Sequence, residues 1–351
     1  MHKNLKTLVV LIPGFPGNED DSTCVPFPQA FVRNLKLLNP ALHIIVLAFQ
    51  YPFMQGVYEW NGVEVHAFDG RNRGKFRRIL IWIKVWRVLK KIFQNANVVG
   101  ILSFWLGESA LIAKYAAAKY RVKSFTWLLG QDARINNHYV SMIKPKGESL
   151  IALSDFLADE FFRNHHIMPM HTIPSGVDRK MFPDLSPVRK FDLLAVGSLI
   201  PLKRYDLFIK MIAGLVKTYP DIKAIICGEG PGRESLRKLI EDFHLNDCVE
   251  MRGELKHEEV LRVMQDSKIL VHPSSYEGFS TVCAEALYAG AQVVSFCKPM
   301  YIDFEHHHIV QTIEEMENKV EDLIKEKQSI VKRVLTFPIE EVCERISSLY
   351  I

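Results

Sequence analysis

The chain has 351 residues, 48% of them apolar and 24% charged, with a formal net charge of +4. That length suits two domains of ordinary size, each with a sizeable core, and the small net charge says little about partners, with no nucleic acid expected among them. The six cysteines, Cys24, Cys227, Cys248, Cys283, Cys297 and Cys343, form no C-x-x-C pair, which excludes a zinc ribbon and a disulfide framework and reads as a reduced, cytoplasmic chain.

The opening run TLVVLI ends at Pro13 and Gly14. It is too short for a signal peptide and far too short to span a membrane, so it reads as a first buried strand. Further strands are expected at HIIVLAF, NVVGILS, SFTWLL and SLIALS, with helices at FPQAFVRNLKLL, GESALIAKYAAAKY and LSDFLADEFFRN between them. A Pro- and Asp-rich stretch from Ile173 to Lys190 interrupts the pattern. A second series follows, with strands FDLLAVG, KAIICG, CVEMRG, KILVHP and AQVVSF and helices RYDLFIKMIAGLVKTY, RESLRKLIEDFH, HEEVLRVMQD and TVCAEALYAG. Short apolar strands alternating with helices predict an α/β chain with parallel sheets covered on both faces. The expected division is a first domain over 1–173, a linker over 174–190, a second domain over 191–335, and a last amphipathic helix over 336–351 that can pack back on the first domain. His306, His307 and His308 are adjacent, so on an extended chain they point in opposite directions and do not converge on one ion. They read as a solvated loop, and no metal and no cofactor is expected.

The stretch YEGFSTVCAE carries an acid at each end, Glu277 and Glu285. Glu277 follows a strand, Glu285 lies about one turn inside the next helix, and the backbone N–H groups between them form a ready phosphate site. The plainer reading is a solvated turn acid and a helix-surface acid. Lys203, with Arg204 beside it, sits between a strand and a helix in SLIPLKRYD, and taken alone reads as an ordinary loop lysine. GEGPG (Gly228–Gly232) has the wrong spacing for a dinucleotide loop, and Pro231 stands where that loop needs N–H groups. Taken alone, its glycines end a strand tightly. GFPGNEDD, after the first strand, has Gly14 and Gly17 to let a ligand close to the backbone, but no G-K-[ST].

From Gly70 to Gly107 there is no acid, and nine Lys or Arg fall between Arg71 and Lys91. On a helical wheel Arg77, Lys84, Arg87 and Lys91 form one narrow stripe, and the apolar residues cover more than the roughly 100° a core-facing helix needs. With basic flanks, Trp82 and Trp86, the segment 71–93 reads as an interfacial helix on an anionic membrane surface, its tryptophans inserting. The alternative is a helix buried between sheet and neighbouring helix with its cations solvated.

From about Ile173 to Lys298 the pieces IPSGVD, VGSLIPLKRYD, ICGEGP, RGEL and VHPSSYEGFSTVCAEALYAG resemble, in order, glycosyltransferase family 4, whose fold is GT-B. The first half resembles it weakly, chiefly through IPGFPG and LLGQDA. The resemblance implies two Rossmann-like domains with parallel sheets facing across a cleft. It also implies a retaining transfer of a hexose-type sugar from a nucleoside-diphosphate sugar to a glycan or lipid-linked acceptor, in the cytoplasm or on the inner face of a membrane. Glu285 would accept from the ribose hydroxyls and Glu277 from the transferred sugar. The amides of Gly278, Phe279, Ser280, Thr281 and Val282 would meet sugar oxygens and the diphosphate, which Lys203 would neutralise. Gly228, Glu229, Arg252 and Leu255 would lie near the nucleotide, with the base read by main chain, and Gly14 and Gly17 near the phosphates and the acceptor. Asp132 matches a common family acid and would be catalytic, against a loop-capping role. Two positions depart from the family: Ser198 replaces a second phosphate cation, and Leu129 replaces a histidine. They support two rivals, a catalytically degenerate binding or scaffold protein and a GT-B enzyme of other chemistry such as an epimerase or phosphorylase.

Overall fold

A computed structural model describes residues 5–184, 188–326 and 332–350, with Lys75 described for its backbone only. The chain forms two compact units, Met1–Gly176 with Ile339–Ile351, and Val177–Pro338.

The first unit is built on eight strands: β1 (Lys6–Gly14), β2 (His43–Tyr51), β3 (Gln55–Trp60), β4 (Val63–Phe68), β5 (Asn97–Phe104), β6 (Lys123–Leu128), β7 (Leu150–Ala152) and β8 (His171–Thr172). Their order in the sheet is β3-β4-β2-β1-β5-β6-β7-β8. The pairings are parallel except at one edge, where β3 runs antiparallel to β4 with Tyr58 opposite Val65. This hairpin is absent from the strands expected above, although its turn is Asn61-Gly62, both at positive φ (47° and 73°). Asn-Gly between alternating residues is a strong hairpin signal, because both residues tolerate left-handed backbone. β1 is central, and Val9, Val10, Leu11 and Ile12 are fully buried. A strand covered on both faces must read as a continuous apolar run, which is why TLVVLI was legible.

On one face, the helix Lys75–Asn95 sets Ile81, Val85, Leu89 and Ile92 against Val9, Leu11 and Ile101. Burying four such side chains contributes about 1.5–3 kcal/mol each. The expectation that Trp82 and Trp86 are free to insert into a membrane does not hold. Both are half-buried against this core. Trp82 Nε1 donates to Glu108 Oε2 at 2.8 Å, and the Lys119 ammonium lies 5.4 Å over the Trp86 ring. On the other face, Phe27 and Phe31 of the helix Pro26–Leu38 meet Trp127 edge-on at 5.0 and 5.2 Å. The helix Ile339–Ser348 packs on Pro26–Leu38, and beyond it Tyr350 donates its hydroxyl to the Ile101 carbonyl at 2.8 Å. Gly100 makes room for that ring: a Cβ there would lie 2.2 Å from it.

The second unit has six strands, β9 (Phe191–Val196), β10 (Ala224–Cys227), β11 (Val249–Gly253), β12 (Ser267–His272), β13 (Gln292–Ser295) and β14 (His307–Ile309), all parallel in the order β11-β10-β9-β12-β13-β14. Leu193 and Ala195 of β9 face the helices Tyr205–Leu215, Arg233–Asp242 and Ile313–Lys325. Leu194 and Val196 face His257–Gln265 and Thr281–Tyr288. The period-two alternation of a strand thus feeds two cores.

β14 corrects the solvated-loop expectation for His306–His308. His307 and His308 pair with β13, where His307 Nε2 meets Ser295 Oγ at 2.9 Å and His308 Nε2 meets Gln292 Oε1 at 2.8 Å. Burial, with His272 and His308 nearby, pushes the His307 pKa down to about 4. Among the described residues no group of His, Cys, Asp or Glu is arranged to hold a metal ion. No described helix is long and apolar enough to cross a membrane.

Candidate active site

In the second sheet the chain runs from β9 outward through β10 to β11, then returns to β9's other side for β12. That reversal makes the gap beyond the carboxyl ends of β9 and β12 a topological switch point, where open α/β sheets bind ligands. The loops flanking it are 197–203 after β9 and 273–280 after β12. They are tied together, since the Ser275 amide and hydroxyl both donate to the Leu202 carbonyl, at 3.0 and 3.3 Å.

Lys203 and Glu277 meet across this point. The ammonium donates to Glu277 Oε1, with the two side chains only 17% and 16% exposed. His272, the last residue of β12 and fully buried, places Nε2 3.0 Å from the same oxygen and 3.2 Å from Ser280 Oγ. Burial lowers the His272 pKa against the pull of Glu277. A neutral ring facing a carboxylate must carry its proton on Nε2. Nδ1 is then the bare nitrogen, and it has no hydrogen-bond partner. Burial alone would raise the Glu277 carboxyl, but the His272 hydrogen bond and the Lys203 charge outweigh it and hold the carboxyl down to about 2. Glu277 is therefore an ionised acceptor near neutral pH, and charge compensation comes from Lys203.

Glu285 is 8% exposed on the helix Thr281–Tyr288, and its Oε1 lies 2.7 Å from His257 Nε2, at the start of the helix His257–Gln265. Both carboxylates of the pair thus rest on a histidine from another element. Ser280, the N-cap of Thr281–Tyr288, turns its hydroxyl to His272 and makes no side-chain cap. The positive end of that helix points to the same switch point. Phe279 is buried against Phe337, with centroids 6.0 Å apart, and Val282 packs into the core, so these two offer main chain only.

The Gly228–Gly232 loop is locked to its neighbours. A Cβ on Gly228 (φ +147°) would sit 2.0 Å from the Gly197 carbonyl oxygen. A Cβ on Gly230 (φ +156°) would sit 2.7 Å from that of Leu199. These glycines end a strand tightly. Glu229 pairs with Arg233, and Arg252 pairs with Glu250 at 2.7 Å beneath a 5.2 Å cation–π contact to Phe191. Those side chains are engaged within the unit, and Leu255 packs on its core. Ser198 and Arg204 are exposed, the latter at φ 51° before the helix Tyr205–Leu215.

Three residues absent from the sequence-based site belong here. His272 and His257 hold the two acids. Tyr205 is buried, and its hydroxyl has no hydrogen-bond partner. A Cβ on Gly197 would come within 2.9 Å of that hydroxyl. Burial first, then the nearby Glu277, raises its pKa. The surrounding thiols of Cys227, Cys283 and Cys297 are each pushed by burial up to about 12, so none is a thiolate nucleophile.

In the first unit Asp132 accepts from the amides of Leu106 (3.0 Å), Leu129 (3.1 Å) and Gly130 (2.8 Å). Burial raises its pKa, and those amide bonds offset only part of the rise. Its oxygens cap the loops after β5 and β6, which is the second of its two sequence-based roles. Gly14 and Gly17 are not at positive φ. The Gly17 amide donates to Asp21 Oδ2 at 3.2 Å, which also accepts from Tyr51 at 2.6 Å, so the acidic run organises its own loop. A buried polar cluster went unread in the sequence: Glu108 accepts from Gln50 and Trp82, and Gln50 Oε1 accepts from the Asn72 amide at 2.8 Å.

Residues 177–333 match the family model of glycosyl transferases group 1. The chain is 34% identical over 278 residues to the phosphatidylinositol N-acetylglucosaminyltransferase gpi3 subunit of Schizosaccharomyces pombe, covering 76% of this chain and 61% of that protein. It is 38% identical over 127 residues to a phosphatidylinositol N-acetylglucosaminyltransferase subunit of Homo sapiens, 35% of this chain and 26% of that one. The chain thus spans 61% or less of these two relatives. Among solved structures, Anabaena HepE in complex with UDP and glucose superposes with a TM-score of 0.71 at 16% identity, over 98% of this chain and 99% of that one. The sucrose-phosphate synthase of Thermosynechococcus elongatus gives 0.71 at 16%, over 98% and 95%. The fold is α/β with two parallel-sheet units, that of GT-B glycosyltransferases.

Proposed function

From a second unit whose residues 177–333 match the family model of glycosyl transferases group 1, we propose that the chain is a retaining glycosyltransferase. It takes a hexose or N-acetylhexosamine from a uridine-diphosphate sugar and passes it to a hydroxyl of a lipid-linked or glycan acceptor. The observation that carries this reading is the Lys203–Glu277–His272 cluster at the switch point. The sugar and base class rest on the names of the relatives and of the UDP-bound neighbour.

In this reading the C1–oxygen bond to the diphosphate breaks while a C1–oxygen bond to the acceptor forms on the same face. The acceptor proton moves to the departing phosphate oxygen, so no protein base is required. The diphosphate gains charge as it leaves, and Lys203 and the positive end of Thr281–Tyr288 stabilise that charge. Glu277, ionised by its surroundings, accepts from a sugar hydroxyl. Glu285 accepts from the ribose diol, whose paired donors suit a carboxylate. All six cysteines are free, which supports a reducing, cytoplasmic setting.

The test is a thermal-shift screen of UDP, GDP and their hexose and N-acetylhexosamine derivatives, since a ligand that binds the folded state raises the melting temperature. UDP compounds are expected to give the largest shift, and turnover with the best of them is expected to give a product of unchanged anomeric configuration. No shift with any nucleotide, or an inverted product, overturns the reading.

A further inference from the structure

The helix Lys75–Asn95 buries one stripe and leaves another in solvent. Phe76 is 87% exposed, Leu80 58%, Ile79 50% and Ile83 43%, and these residues are adjacent on its outer face. The chain after β2 adds Phe53 at 58% and Met54 at 46%. Arg71 joins that loop to the helix side: its guanidinium donates to the Phe53 carbonyl at 2.9 Å and lies 5.4 Å over the Phe53 ring. Single exposed apolar residues are ordinary, but a run of them along one edge marks an interaction surface.

Beside this stripe lies a cavity of about 360 Å³ between the helix and the end of β4, into which Leu80 and Ile83 also face. Arg73, Arg77, Lys84 and Arg87 line it, against one acid, Asp69. Asp69 is already paired with Arg71 at 2.5 Å, and Lys84 reaches Gln55 Oε1 at 2.7 Å. The cavity therefore carries excess positive charge with apolar side chains at its rim.

We propose that this face docks on a bilayer rich in anionic phospholipid, with head-group phosphates seated among Arg73, Arg77, Lys84 and Arg87. Phe76, Leu80 and Phe53 enter the acyl boundary beside them. Charge selects the anionic surface, and the apolar stripe distinguishes a bilayer from a soluble polyanion, which has no use for an exposed Phe76. The half-buried tryptophans take no part. The inference stands apart from the transferase chemistry, because its readout needs neither donor nor turnover.

Flotation of the full chain with vesicles of phosphatidylcholine alone, and with rising phosphatidylserine or phosphatidylinositol, tests it at low and high salt. Binding is expected to rise with anionic lipid. Each of Arg77→Gln, Lys84→Gln and Arg87→Gln is expected to lower partitioning about fivefold, the equivalent of about 1 kcal/mol per charge near the surface. Removing one exposed charge from the second unit, Lys217→Gln, is expected to change it less than about twofold, since Lys217 is no part of this face. Phe76→Ser with Leu80→Ser is expected to remove the part of binding that survives high salt. These side chains are exposed or rim the cavity, and an unchanged melting curve confirms that each variant folds. Indifference to lipid charge overturns the proposal. So does equal loss in the second-unit control, or salt-resistant binding that persists without Phe76 and Leu80. Capture of phosphorylated protein with no vesicle binding reassigns the face to a soluble partner.

Discussion

Glu285 Oε1 lies 2.7 Å from Nε2 of His257, a residue 28 positions earlier and on a different helix. Both side chains are nearly buried, at 11% and 13% exposed, so the carboxylate is held in place before any ligand arrives. If its task is the ribose diol, Glu285→Gln weakens UDP binding by about 1–3 kcal/mol, the worth of a hydrogen bond to a charged group. His257→Ala loses part of the same energy, and the double variant loses less than the sum. Calorimetry against UDP and its 2′,3′-dideoxy analogue reads this directly. An equal loss for both nucleotides removes the ribose role and leaves His257 as a packing residue.

Lys203→Ala is expected to lower kcat by about 10²-fold, with a smaller rise in KM, because charge on the diphosphate grows toward the transition state. Steady-state kinetics separates the two. A rise in KM with kcat intact makes Lys203 a ground-state binder.

The second unit is expected to lose stability as pH falls from neutral. The His307 pKa drops from 6.5 to about 4 on folding. Above 6.5 both states are neutral there and the full stability is present. Below it the unfolded chain takes up a proton that the folded one refuses, so stability falls until about pH 4, by up to about 3 kcal/mol. His272 acts in the same direction, and Glu277 adds a loss between its ordinary 4.5 and about 2. Urea unfolding at several pH values should show a shallower slope above pH 4 for His307→Gln than for the parent chain. Equal slopes would mean that His307 titrates normally.

Tyr350→Ala is expected to destabilise the first unit by about 3–5 kcal/mol, the cost of emptying a buried aromatic site. The ring is 8% exposed and meets Phe125 edge-on at 5.3 Å. Tyr350→Phe, which loses only the bond to Ile101, should cost about 1 kcal/mol. Calorimetry that resolves two transitions should show the first unit's transition moving and the second's standing still.

The chain announced its elements more readily than their partners. Glu277 and Glu285 were visible because strand, turn and helix lie within one short stretch, where local geometry fixes the spacing. Their histidines were not, because strand order and helix packing bring His257 to Glu285, and no local pattern encodes that. His272 stands at the end of a run read as a strand, yet a histidine there looks like any core residue. The wheel of Lys75–Asn95 located the excess apolar surface but could not say which part the sheet would take. The sheet took Ile81, Val85 and Leu89, with Trp82 drawn in by Glu108, and left Phe76 and Leu80 outside. The Asn61-Gly62 turn carries its own local signal, an Asn-Gly pair at positive φ between alternating residues.

The return of Ile339–Ser348 and Tyr350 to the first unit has a consequence for the order of events on the ribosome. Domains fold as units as the chain emerges. Here the first unit waits for Ile339–Tyr350, which are synthesised after the whole of the second unit, while the second unit has every residue it needs by Pro338. The pairing of Tyr350 with Ile101 spans 249 positions, and contacts of such separation form late. During elongation the first sheet therefore exposes the apolar surface that Tyr350 will cover, and a nascent chain stalled before Ile339 should recruit chaperones through that half of the molecule.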